Sequence, residues 1–112
     1  MSRFPHTPDG RYFVSKGRLW RTTNPHLPED ERQSLVRDLM AARRDVGRFK
    51  GDEAKVAEAR RRVHAAKVAL GERGPVWWED GKEDVLNHAP WNTYYARWWA
   101  GLSEAEKDAG MA

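Results

Sequence analysis

The 112-residue chain contains no cysteine. Disulfides and thiolate-bound metals are therefore excluded. No apolar run approaches the roughly 20 residues that a membrane span needs. The opening Met1-Ser2-Arg3-Phe4-Pro5-His6 lacks a secretory hydrophobic region, which points to a cytoplasmic location without a membrane partner. Catalytic signatures are missing as well: there is no glycine-rich phosphate loop, no GxSxG elbow and no nucleophilic thiol. His6, His26, His64 and His88 show neither HxxxH nor HxH spacing, so no metal centre is expected. Nor is there a helix-turn-helix, a zinc finger, an RNP-type aromatic strand or a GxxG loop that would read nucleic-acid sequence. The expectation is a protein that is not an enzyme, needs no cofactor and has no identified small-molecule substrate.

Aromatics and charge are what the chain has in quantity. Six Trp, three Tyr and three Phe are heavy usage for this length, and they can bury much area in a small domain. Charged residues make up 33% and the net charge is +3. Along the sequence that charge is uneven: residues 1–27 carry +4, residues 28–71 carry +3 and residues 72–112 carry −4. Such asymmetry suits an anionic partner or head-to-tail self-complementarity.

The strongest pattern lies in residues 35–70. Leu35, Leu39, Ala42, Val46 and Phe49 recur at steps of four and three, and Val56, Ala59, Val63, Ala66 and Leu70 repeat the pattern after Gly51-Asp52. Each set forms one stripe of a helix, so the spacing predicts an antiparallel helical hairpin over about 28–50 and 53–70. Leu39 and Val63 should be buried across it, with Ala42, Ala59 and Ala66 allowing close approach. Pro28 suits a helix start, Glu29-Asp30-Glu31 suit its dipole, Asp52 suits an N-cap, and Gly71 and Gly74-Pro75 suit a stop.

Upstream, Arg11–Ser15 and Arg18–Thr22 flank Lys16-Gly17 and read as a β-hairpin pairing Phe13 with Trp20 and Val14 with Leu19. The Phe13/Trp20 face is expected to meet the rest of the domain. Downstream, Trp91, Tyr94, Tyr95, Trp98 and Leu102 fall at helical spacing over 91–102, with Thr93 as a cap, and 103–112 reads as a polar tail or short helix. The expected fold is α+β. One small domain over residues 1–112 has an N-terminal β-hairpin packed on the helical hairpin and an aromatic-rich C-terminal helix.

Gly17-Arg18-Leu19-Trp20-Arg21-Thr22-Thr23-Asn24-Pro25, Leu27-Pro28-Glu29, Leu39-Met40-Ala41-Ala42-Arg43-Arg44 and Ala69-Leu70-Gly71-Glu72-Arg73-Gly74-Pro75-Val76-Trp77-Trp78 resemble a family of short, uncharacterised bacterial proteins. The resemblance covers most of the chain. It implies one intact domain of bacterial type, and no catalytic residues.

Two surfaces could carry function. Arg37, Arg44 and Arg48 lie opposite the apolar stripe of the first helix, and Arg61 points outward on the second; together they are candidates for an anionic partner. Arg44 and Arg48, four apart, repel each other. The adjacent pairs Trp77-Trp78, Tyr94-Tyr95 and Trp98-Trp99 cannot both be buried equally in a helix, so Trp78, Tyr94 and Trp99 are candidates for exposed aromatic surface. The acidic turn Glu79–Asp84 has a cation in its middle, Lys82, and reads as solvated. Two functional classes stay open. One is a non-catalytic protein-interaction or self-associating module, with a homodimer as one form. The other is a small basic nucleic-acid-binding protein that contacts phosphate backbone through its arginine-rich helix faces.

Overall fold

The computed structural model describes residues 3–112. The fold is α+β: a two-stranded antiparallel hairpin followed by four helices, the first two packed as a helical hairpin, with an aromatic-rich C-terminal region. The chain gathers into two compact units. Residues 3–22 and 78–112 form a hairpin unit, and Thr23–Trp77 form a helical unit.

In the hairpin unit, β1 (Tyr12–Ser15) and β2 (Arg18–Arg21) pair in the expected register, Phe13 opposite Trp20 and Val14 opposite Leu19. Lys16 (φ 54°) and Gly17 (φ 70°) both take left-handed backbone. That geometry matches the twist of the strands, although for Lys it costs about 1 kcal/mol. Both strand edges are covered. Val14 donates to Pro5 O at 2.9 Å and Thr7 to Tyr12 O at 2.9 Å on one side. On the other, Leu19 donates to His88 O at 2.9 Å and Asn87 to Leu19 O at 2.7 Å. An isolated hairpin is marginal in water, and these strand-like partners remove its open edges.

The buried face of the hairpin is the opposite of the one expected. Tyr12, Val14, Leu19 and Arg21 are inside, whereas Phe13 and Trp20 are only half-buried. Both faces carry apolar residues, and Arg21 disguised the inner one.

The C-terminal region also departs from a continuous helix over 91–102. A 3-10 turn at Pro90–Asn92 gives way to extended backbone at Thr93, and α3 covers only Ala96–Ala100. The Thr93 hydroxyl donates to Pro90 O at 2.8 Å and accepts from Tyr95 N at 3.1 Å. It thus replaces the helical ladder with local side-chain bonds and restarts it two residues later. The polar tail is helical: α4 spans Glu104–Met111 and begins with a capping box between Ser103 and Glu106. Its end lies on the hairpin turn, where Gly17 donates to Gly110 O at 3.0 Å and Lys16 to Ala112 O at 2.9 Å.

In the helical unit, α1 (Glu29–Arg48) starts after Pro28 with three acids in its first turn. The Asp52 carboxylate caps α2 (Glu53–Leu70) by accepting from Lys55 N at 3.1 Å. Gly71, in left-handed backbone at φ 84°, ends it; a Cβ there would come within 2.9 Å of Trp77 Cδ1. The core is Leu39, Ala66 and Leu70, with Leu27, Leu35, Val36 and Val63 against it. Ala42 and Ala59 are fully buried, as close helix approach requires, while Val63 is half-buried. No helix among the described residues is long and apolar enough to cross a membrane.

Candidate functional site

The outer face of α1 is built from its own periodicity. Because Leu39 and Ala42 are anchored in the core, Arg37, Arg44 and Arg48 are turned outward, and all three are exposed. At 1.5 Å per residue, Arg37 and Arg44 stand about 10 Å apart along the axis and Arg44 and Arg48 about 6 Å. Among the described residues, none of the three forms an ion pair; Arg48 lays its guanidinium 5.1 Å from the Phe49 ring centre. Two other carboxylates of α1 are engaged with different arginines. Asp45 holds Arg62 of α2 at 2.7 Å, and Glu29 holds Arg32 within the first turns of α1.

Arg61, the fourth candidate, is exposed but differs from the stripe. Its guanidinium meets Glu58 at 2.6 Å on α2. A second cluster of like charge lies where α1 and α2 meet. Burial pushes the Lys67 ammonium down, and the positive charges of Arg73 and Arg43 push it the same way. The helical unit therefore holds two sets of cations whose mutual repulsion an anion would relieve.

Charge sorts by unit. The hairpin unit has eight basic and eight acidic side chains, and the helical unit twelve and nine. The whole net charge of +3 thus resides in the helical unit.

The acidic turn is exposed, but two of its carboxylates have partners within the hairpin unit. Both oxygens of Asp80 receive the Arg11 guanidinium, at 2.6 and 3.2 Å. That hydrogen bonding, first to Arg11 and then to Lys82 N–H, holds the Asp80 carboxyl below its usual range. Asp84 accepts from the Tyr12 hydroxyl at 2.7 Å and lies 3.9 Å from Arg21 Nε. Asp84 does not hydrogen-bond His88, four residues on. Beside this network, Asp9 accepts from Tyr95 Oη at 2.7 Å, from Thr7 Oγ1 at 2.7 Å and from Arg11 N at 3.1 Å. Burial pushes the Asp9 carboxyl up, but those donors outweigh it and leave it below the usual value. The phenols move the other way. Burial raises Tyr12 and Tyr95, and the adjacent carboxylates raise them further.

The aromatic candidates separate. Tyr94 is 42% exposed, with its hydroxyl on Glu83 O and the Lys82 ammonium 4.6 Å from its ring centre. Trp78 and Trp99 are only 7% and 9% exposed, which corrects their expected place on the surface. Trp78 lies under the Arg11 guanidinium, edge-on to Tyr12, with its indole N–H on Lys82 O. Trp99 packs against Trp91 and against the face of Gly110. Trp91, at 44%, is as open as Tyr94. The break at Thr93 shifted the helical phase after Trp91, which put Trp99 inside, while Tyr94 lies exposed as expected.

Comparison with family models, with curated proteins and with solved structures finds no match for this chain.

Proposed function

We propose that the protein is a non-catalytic binding protein whose helical unit engages the phosphate backbone of nucleic acid. The observation that carries this reading is the row of Arg37, Arg44 and Arg48 on the exposed face of α1, without ion-pair partners among the described residues. Guanidinium groups suit phosphate because their fork of donors matches two oxygens at once. Neutralised phosphates release condensed counterions, so affinity should fall steeply with salt. Duplex DNA titrated at two or more salt concentrations, with wild type and R37Q/R44Q/R48Q, tests it. Each phosphate contact contributes about 0.9 to the slope of log K against log salt, so the triple variant should flatten that slope by up to about 3. Helix content should be unchanged, since none of the three lies in the core. Equal affinity and equal slope for both proteins would leave the row a solvated face.

Self-association is the second reading, and one observation favours it. Two open depressions share Val56 in their lining, one along α2 with Ala57 and one at the α1–α2 turn with Val46. A sedimentation mass above the monomer that returns to the monomer in Val56→Asp would support a second copy seated there. The acidic turn of another copy is a weaker partner for the arginines, because Asp80 and Asp84 are engaged within their own unit.

A further inference from the structure

The hairpin unit carries a groove that the arginine row does not involve. It has a volume of about 650 Å³ and runs along the Lys16-Gly17 turn beside the 3-10 turn. That size falls within the roughly 300–1,000 Å³ of small-molecule sites. Lys16, Arg18 and His88 line it on the polar side, and Trp91 and Met111 on the apolar side. Among the described residues no carboxylate lines it. The Arg18 guanidinium gives one N–H to Asn87 O at 2.8 Å, and its other donors remain for a ligand.

Two features show that the groove is built. Lys16 and Asn87 are the only described non-glycine residues with positive φ, 54° and 70°, and both line it. The two-residue hairpin turn requires this backbone at Lys16, and at Asn87 it accompanies the N–H bond to Leu19 O, so both fix the groove wall to β2. Gly17 forms the floor without a side chain: a Cβ would come within 3.0 Å of Met111 Cε and 3.5 Å of the Trp91 ring. The turn is thereby held against an exposed indole, with cations on either side.

We infer that this groove binds a nucleoside phosphate, with the base against Trp91 and Met111 and the phosphate on Lys16 and Arg18. An indole face accepts any base by stacking. Two cations with no side-chain carboxylate in the lining favour a phosphate over a neutral ligand. The Asn87 and Asn92 amides, each with donors and an acceptor, complement the edge of a base. A nucleoside phosphate could arrive free or as one residue of a single strand. The inference does not depend on the arginine row, which belongs to the other unit.

Adenosine monophosphate, adenosine, inorganic phosphate and a short oligoadenylate are the probes. Binding is read by calorimetry and by the Trp91 indole N–H resonance, assigned with Trp91→Phe. The monophosphate should move that resonance and bind more tightly than adenosine or phosphate alone. Trp91→Ala should weaken it roughly 5- to 150-fold, the effect of losing a stacking ring. Trp91 also packs on Trp99, so K16Q/R18Q, on the exposed turn, supplies a variant that keeps the fold. It should weaken the monophosphate about tenfold or more and leave adenosine unchanged. Oligoadenylate binding about tenfold tighter than the monophosphate identifies a strand as the source, and equal or weaker binding identifies the free nucleotide. R37Q/R44Q/R48Q should bind the monophosphate as wild type does, so failure here and failure of the arginine row are distinguishable. A flat titration with every probe, adenosine binding as tightly as the monophosphate, or monophosphate binding indifferent to K16Q/R18Q would overturn the assignment.

Discussion

Tyr12→Phe tests the polar network under the hairpin with the smallest change available. Tyr12 is fully buried, and its hydroxyl is used twice. It donates to Asp84 Oδ1 at 2.7 Å and accepts from Val85 N at 3.0 Å. Removing one oxygen therefore strips a donor from a carboxylate and leaves a buried N–H without that acceptor. A hydrogen bond to a charged group contributes about 1.5–3 kcal/mol, and an orphaned buried donor costs about 1–3 kcal/mol. The two losses share one atom and overlap, so we expect a combined destabilisation of about 2–4 kcal/mol. For a chain of this size that is a fall in melting temperature of about 8–15 °C. Near-UV circular dichroism during urea unfolding is the suitable probe, because the Tyr12 ring sits edge-on to Trp78 and Tyr95. The pH dependence has a fixed sign. The folded phenol is raised above its ordinary 10.0, so its contribution is complete below pH 10 and declines as pH rises through the folded value. The gap between wild type and Tyr12→Phe should therefore narrow above pH 10. A variant within about 0.5 kcal/mol of wild type at neutral pH would refute the reasoning, since that is the range of a surface change.

Three further substitutions address the two units. Leu70→Ala should cost about 2–5 kcal/mol, because Leu70 is fully buried in the helical core; Met40→Ala, on the exposed side of α1, should cost less than about 0.5 kcal/mol in the same urea melts. Gly110→Ala should destabilise the hairpin unit although alanine is the better helix former, because its Cβ would lie 2.8 Å from the Trp99 ring; an unchanged or raised melting temperature would show that Trp99 can move aside freely.

The helical hairpin was legible because its determinants are local. The apolar steps of four and three, the Asp52 cap and the Gly71 stop all act within a few residues, and the elements fall within two residues of their expected bounds. The β-hairpin register was equally legible, since two residues of turn fix it. Its buried face was not. Choosing between Tyr12/Val14/Leu19 and Phe13/Trp20 required knowing that Asp84, far along the chain, would lie beside Arg21 and receive the Tyr12 hydroxyl. The aromatic segment failed for a related reason. Periodicity assumes that the ladder continues, and the Thr93 hydroxyl ended it with bonds that spacing does not reveal. Trp99 was thus counted as surface although it is buried. Lys16 and Arg18 were visible as cations, but nothing in their spacing set them beside Trp91.

Charge shows the same limit and has a functional consequence. Along the sequence the chain is basic first and acidic last, a pattern that suits head-to-tail pairing of copies. In the folded chain those two ends belong to one unit, where Arg11 meets Asp80 and Arg21 lies near Asp84. Their opposite charges cancel internally, and the hairpin unit is neutral in sum. A dipole along the sequence is therefore not a dipole in space, and two carboxylates of the acidic half, Asp80 and Asp84, are engaged within their own unit although exposed. The remaining net charge belongs to the helical unit. Arg37, Arg44 and Arg48 stand on α1, and Lys67 with Arg43 and Arg73 stand where α1 and α2 meet. On the function proposed above, a partner of the α1 row brings negative charge spaced along a length of helix rather than concentrated at one point. A polyphosphate backbone has that form, and a single carboxylate does not.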